Sequence, residues 1–135
     1  MALDTTGTNK YLSESCVQQE IRLLPKQAYF LKANNKEILY SGGYGSGKSR
    51  VLCYKIVQHA MIPGALIGLF RKERTSLMAT TMRTLLESES GLPPVLPPGT
   101  YEHNKQNSII KIKGGGQIYY SGFDSDIKLR SLNLS

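Results

Sequence analysis

The sequence predicts an α/β fold with parallel core strands and a β-hairpin near its C-terminal end. Three observations carry this. Residues 42–49 read Gly-Gly-Tyr-Gly-Ser-Gly-Lys-Ser and satisfy G-x-x-x-x-G-K-[ST] at every fixed position. The short apolar segment Ile38-Leu39-Tyr40 precedes this turn, and an apolar helical run over residues 51–61 follows it. Residues 65–70, Ala-Leu-Ile-Gly-Leu-Phe, form a continuous apolar run suited to a parallel strand covered on both faces.

Strand, glycine-rich loop and helix together are the setting of a phosphate-binding loop, so the class narrows to a P-loop NTPase, RecA/ASCE-like. Glycines at Gly42, Gly43, Gly45 and Gly47, with Tyr44 and Ser46 between them, let backbone amides approach an anion closely. Lys48 would place its ammonium on the β- and γ-phosphates, and Ser49 would offer a hydroxyl to Mg²⁺. The helix that begins there would aim its free N–H groups at the same charge. The implied ligands are ATP and Mg²⁺. The dinucleotide fingerprint G-x-G-x-x-G fails, because from Gly43 its last position is Lys48.

Size and composition fit one globular domain: 135 residues, 40% hydrophobic and 20% charged. The net charge of +7 suits a polyanion, either a nucleotide or a nucleic acid, but the positive charge is scattered rather than concentrated in a run. Cys16 and Cys53 lack metal-ligand spacing and read as reduced thiols. The polar start and the absence of any long apolar run predict a cytoplasmic protein with no membrane segment. His59 and His103 are isolated and read as surface or structural.

Taken in order, residues 1–23 are predicted as a frayed tail and a short helix, the helix drawn over 13–24 from Val17, Ile21 and Leu24. Residues 24–135 form the second unit. Pro25 starts a short helix over 26–33, with Ala28, Phe30 and Leu31 turned inward. Gln27 lies on it, one short helix ahead of the loop. Its amide has the donor and acceptor to read an adenine edge, or it is a solvated helix residue. The helix 51–61 carries one polar stripe, Lys55, Gln58 and His59. Arg71 follows the apolar run 65–70 at a strand end, where it would contact phosphate or DNA, or be an ordinary basic residue. Residues 73–87 are predicted helical, with Met78, Met82, Leu85 and Leu86 on one face. The proline-rich stretch 88–101 is an irregular loop. Residues 108–113 and 117–122 alternate around Gly114-Gly115-Gly116 as a β-hairpin.

Hydrolysis requires an acidic pair at the end of an apolar strand, one member for Mg²⁺ and one for the attacking water. The acids after Ser49 are Glu73, Glu87, Glu89, Glu102, Asp124 and Asp126, and none follows such a run. The expectation is an amino-terminal portion of a longer ATPase domain, cut before its acidic Walker B strand.

The flanking segments resemble one family. Leu24-Pro25-Lys26-Gln27 with Phe30, the loop 40–49, Gly68-Leu69-Phe70-Arg71-Lys72 with Ser76 and Leu77, and Ile118-Tyr119-Tyr120-Ser121-Gly122 followed by Lys128-Leu129-Arg130-Ser131 are similar to the ATPase domain of phage terminase large subunits. The resemblance spans roughly residues 24–135. It implies a viral DNA-packaging motor that couples ATP hydrolysis to translocation of double-stranded DNA into a procapsid. The implied partners are double-stranded DNA, a portal protein and a small terminase subunit, within a ring homo-oligomer. It also implies an arginine-finger role for Arg130, beside the plainer reading of a basic residue near Lys128. The family's acidic pair, coupling motif and nuclease domain have no match here. Two other readings stay open: another P-loop ATPase such as a helicase-like enzyme, and a nucleotide-binding fragment without hydrolysis.

Overall fold

The computed structural model describes residues 2–3, 8–11 and 19–123. It contains a small antiparallel sheet, β1 (Ala2–Leu3), β2 (Thr8–Tyr11) and β3 (Gln19–Arg22), and a four-stranded mixed sheet with the helices. The helix predicted over 13–24 is corrected in its second half, where Gln19–Arg22 is a strand paired antiparallel with Thr8–Tyr11; residues 13–18 lie outside the described residues. Pro25 supplies a physical reason at its end. Steric conflict with the proline ring drives the preceding residue out of the helical region, and Leu24 is extended at φ −68°, ψ 154°.

Pro25 then opens α1 (Pro25–Lys32), where its missing N–H costs nothing. Phe30 and Leu31 are its buried residues. The main helix, α2 (Lys48–Ala60), buries Val51, Cys53, Tyr54, Ile56, Val57 and Ala60. Lys55 and Gln58 on its polar stripe are half-buried, and His59 is exposed.

The large sheet has the order β4-β7-β6-β5: β4 (Leu66–Arg71), β5 (Tyr101–Asn104), β6 (Ile109–Ile112) and β7 (Gln117–Gly122). β4 and β7 are parallel, and the remaining pairs are antiparallel. The β6–β7 hairpin is present as the alternation predicts. Two expectations about parallel strands are corrected. Ile38-Leu39-Tyr40 is not a strand: it has no ladder partner among the described residues, and Leu39 is 93% exposed. β4 lies at an edge of the sheet rather than at its centre, and most of it is only half-buried. Apolar character alone does not make a central strand, because a strand needs a neighbour on each side to satisfy its backbone.

The third helix runs unbroken over residues 74–86, close to the predicted span, with α-helical ends Arg74–Leu77 and Arg83–Leu86 around a π-helical stretch, Met78–Met82. Leu77, Met82 and Leu85 join Val95 and Leu96 of the proline-rich loop, α1, α2 and the inner sheet face in one core. On that face stand Leu69, Ile110, Ile112, Ile118 and Tyr120.

The three-glycine turn does more than reverse the hairpin. Gly116 N–H donates to the Ala60 carbonyl at 2.7 Å, and Gln117 N–H donates to the Ala65 carbonyl at 2.8 Å. A Cβ on Gly116 would stand 2.1 Å from the Ala65 oxygen, so only glycine fits. This knot joins the C-terminal end of α2 to the starts of β4 and β7. Because α2 runs back against β4, the N-terminal end of α2, Arg71 and Gly122 fall at the opposite end of the layer.

Candidate functional site

The glycine-rich turn lies at that opposite end, immediately ahead of α2. Gly45 and Gly47 have φ of +73° and +75°, a region that side chains rarely adopt. Gly47 is the N-cap of α2, and its carbonyl already accepts the Val51 N–H at 3.1 Å. Lys48 and Ser49 therefore occupy the first turn, where backbone N–H groups have no intrahelical acceptor. No acidic residue lies in that turn to occupy them.

Lys48 folds back over the turn. Its ammonium donates to the carbonyls of Gly42 and Gly43, the latter at 2.6 Å. Ser46 N–H closes the turn onto Gly43 at 3.4 Å. A Cβ on Gly42 would meet Ser46 Oγ at 2.8 Å, a contact that rotation of the exposed serine can relieve. Gly43 and Gly45 face open space, and Tyr44 is fully exposed. A cation beside glycine amides and a helix N-terminus is a donor set for an oxyanion.

A cleft of about 350 Å³ leads off the turn, lined by Lys48, Ser49, Leu52, Phe30, Ile38, Leu39 and Tyr40. It shares Phe30 and residues 38–40 with an apolar cleft of about 410 Å³ bounded by Pro25, Lys26, Tyr29 and Ala33. A cationic end and an aromatic end thus adjoin. A further cleft of about 700 Å³ lies along the C-terminal half of α2, beside Lys55, His59 and Ile62, and includes no residue of the turn.

Gln27 is brought to the turn by α1. Its Oε1 accepts the Leu24 N–H at 3.0 Å, and its Nε2 would stand 3.0 Å from a Cβ on Gly47. Arg71 ends β4 at the same end of the layer, but its described partner is Thr80 Oγ1, which in turn donates to the Ser76 carbonyl at 2.7 Å. Arg130, Cys16, Asp124 and Asp126 lie outside the described residues.

The donor set fits a polyphosphate better than a bare metal ion. Among the described residues no group of three or more His, Cys, Asp or Glu is placed to hold a metal. Ser49 is a single hydroxyl and could supply a metal ion with one ligand only.

One positioning contact escaped the sequence reading. Arg50, directly after Ser49, donates from Nε to Tyr54 Oη at 2.8 Å and from Nη2 to the Pro93 carbonyl at 2.7 Å. It ties the first turn of α2 to the proline-rich loop. The only cue was an arginine four residues before a tyrosine on one helix face. His103, read as surface or structural, bonds Tyr120 Oη through Nε2 at 2.7 Å and so serves the sheet.

No family model matches the chain, and no match was found among curated proteins or among solved structures.

Proposed function

We propose that this chain binds a nucleoside triphosphate, ATP by preference, with its phosphates in the turn 42–49. The observation that carries the reading is the turn itself: positive-φ glycines deliver Lys48 and Ser49 into the first turn of a buried helix, with the Lys48 ammonium resting on loop carbonyls. An incoming phosphate offers that ammonium a charged acceptor in place of neutral carbonyls, a stronger hydrogen bond. The adjoining apolar cleft beside Phe30 and Tyr40 suits a planar base. Mg²⁺, when bound with the nucleotide, would neutralise charge on the phosphate oxygens, and Ser49 is the side chain that would face it.

The resemblance to phage terminase large subunits makes the wider proposal a nucleotide-binding part of a viral DNA-packaging motor, with double-stranded DNA as its further partner. Binding rather than turnover is the activity proposed for these residues. Among the described residues, Glu87, Glu89 and Glu102 do not stand at the end of an apolar strand, and Glu73 is separated from the end of β4 by Lys72 and follows the basic Arg71.

Calorimetric titration with Mg-ATP tests the reading. The chain is expected to bind, and Lys48→Ala is expected to lose about 10- to 150-fold in affinity, the scale of a charge-assisted phosphate contact. Equal affinity in the two proteins would overturn the assignment. A nucleotide affinity that responds to added duplex DNA would favour the motor over another P-loop enzyme.

A further inference from the structure

We infer that Arg50 is a positioning residue for the phosphate-binding turn, and that through it the proline-rich loop tightens when the turn is occupied. The inference rests on the phosphate-binding reading of residues 42–49. The start of α2 lacks the usual local supports. Its N-cap is Gly47, which has no side chain to accept an N–H, and no acidic residue stands in the first turn. Lys48 and Arg50 stand there instead, at the helix end where the dipole disfavours positive charge. A helix start of this kind frays unless it is held from outside, and its phosphate donors fray with it.

Arg50 supplies the hold. Its Nε donates to Tyr54 Oη at 2.8 Å, one turn further along α2, and its Nη2 donates to the Pro93 carbonyl at 2.7 Å, across 43 positions of chain. Its guanidinium carbon lies 5.5 Å from the centre of the Tyr54 ring. The acceptor is anchored on both sides. Just beyond it, Val95 and Leu96 are buried in the core, and the Leu96 N–H donates to the Leu85 carbonyl at 2.9 Å. Just before it, the Leu92 N–H donates to the Glu89 carbonyl at 2.9 Å, and Thr84 Oγ1 donates to Glu89 Oε2 at 3.1 Å. Pro93 and Pro94 stiffen the stretch between. The loop is a post fixed to the helix over 74–86, and Arg50 ties the phosphate end of α2 to it.

Arg50 is not itself a phosphate ligand. The cleft that leads off the turn is lined by Lys48, Ser49 and Leu52 but not by Arg50, whose guanidinium is engaged by Tyr54 and Pro93. Its role is to keep the first turn ordered, and that role is reciprocal. A phosphate that binds the ordered turn favours the state in which Arg50 reaches Pro93, so the loop gains protection by the factor that the Arg50 contact adds to affinity.

The test combines calorimetric affinity for Mg-ATP, Mg-GTP and magnesium tripolyphosphate with amide hydrogen exchange at residues 48–51 and at Leu92, Val95 and Leu96. It compares the full chain with Arg50→Lys and Arg50→Met. Arg50 is only half-buried, so neither variant removes core. Arg50→Lys keeps the charge but lacks the planar fork that serves two diverging acceptors. Both variants are expected to weaken all three ligands by a common factor of about ten, the scale of one hydrogen bond. In the parent, magnesium tripolyphosphate is expected to slow exchange at both sets of amides. In Arg50→Lys the slowing is expected to persist at 48–51 and to vanish at Leu92, Val95 and Leu96. Three results would overturn the inference alone: affinities in both variants equal to the parent's; a loss in Arg50→Met but none in Arg50→Lys, which makes Arg50 a charge acting at a distance; or loop exchange in the parent that the ligand leaves unchanged, which makes the Pro93 bond a structural link only. A parent chain that binds none of the three ligands would overturn both this inference and the phosphate reading.

Discussion

The ammonium of Lys55, midway along α2, lies 2.7 Å from the backbone carbonyl of Ala33 and also donates to the carbonyls of Phe30 and Leu31. One cation thus caps the C-terminal end of α1, where helix carbonyls lack partners and the helix dipole is negative. It also sits 5.2 Å from the centre of the Phe30 ring. The contact joins the end of α1 to the middle of α2, beside the buried Phe30 and Leu31. Lys55→Met keeps most of the aliphatic stem and removes the charge. It is expected to lower stability by about 1.5–3 kcal/mol, the range for hydrogen bonds to a charged group, as read from the midpoint of urea unfolding. A change indistinguishable from zero would show that water caps α1 as well as Lys55 does.

Gly116→Ala tests the knot at the other end of the layer. The new Cβ would lie 2.1 Å from the Ala65 carbonyl oxygen and 2.9 Å from two further Ala65 backbone atoms. Backbone cannot yield as a flexible side chain can, so the turn must shift and strain the bonds to Ala60 and Ala65. A loss of about 3 kcal/mol is expected in thermal or denaturant unfolding. Gly114→Ala places a Cβ at a positive φ without a clash and should cost less, about 1 kcal/mol. Equal losses would argue against the close approach as the cause.

Acid should weaken the fold through both histidines. Burial, and then the nearby Lys105, hold the His103 imidazolium pKa below the ordinary 6.5; burial, and then Lys55, do the same for His59. With the folded pKa below the unfolded one, the unfolded chain binds more protons in the interval between them. The stability that each histidine contributes is complete above about pH 6.5 and is lost as pH falls through the folded value. Unfolding midpoints measured from pH 7.5 to 5 should fall, and His103→Gln should flatten part of that slope. A midpoint that rises on acidification would contradict the sign for both residues.

Cys53 should resist thiol reagents while the chain is folded. It is fully buried on α2, with its thiol 3.8 Å from the Thr81 carbonyl, and burial pushes its pKa up to about 12. The thiolate is the reactive form, so both access and ionisation oppose labelling. In a Cys16→Ser variant, labelling by an aromatic disulfide should follow global unfolding and accelerate with denaturant. Prompt labelling in native buffer would place Cys53 in a region that opens locally.

Local pattern was enough for several elements. The apolar stripe of α2, the proline at the start of α1, the face of the helix over 74–86 and the alternation of the β6–β7 hairpin each encode their structure in neighbouring residues, because helix and hairpin hydrogen bonds close within a few positions. The candidate turn at 42–49 was legible for the same reason: its glycine spacing and its lysine are local chemistry. Strand partners were not legible. Gln19–Arg22 became a strand because Thr8–Tyr11 pairs with it, while the apolar Ile38-Leu39-Tyr40 did not, for want of a partner among the described residues. β4 lies at a sheet edge although its composition reads as a centre. Ladder bonds join residues far apart in sequence, so composition states a preference and the tertiary arrangement decides it. The same holds at the site. Sequence alone singled out the candidate turn, Lys48 and Ser49 among their glycines. Only the packing of α1 on α2 decided that Gln27 would stand near Gly47, since that approach spans two helices and the buried faces between them.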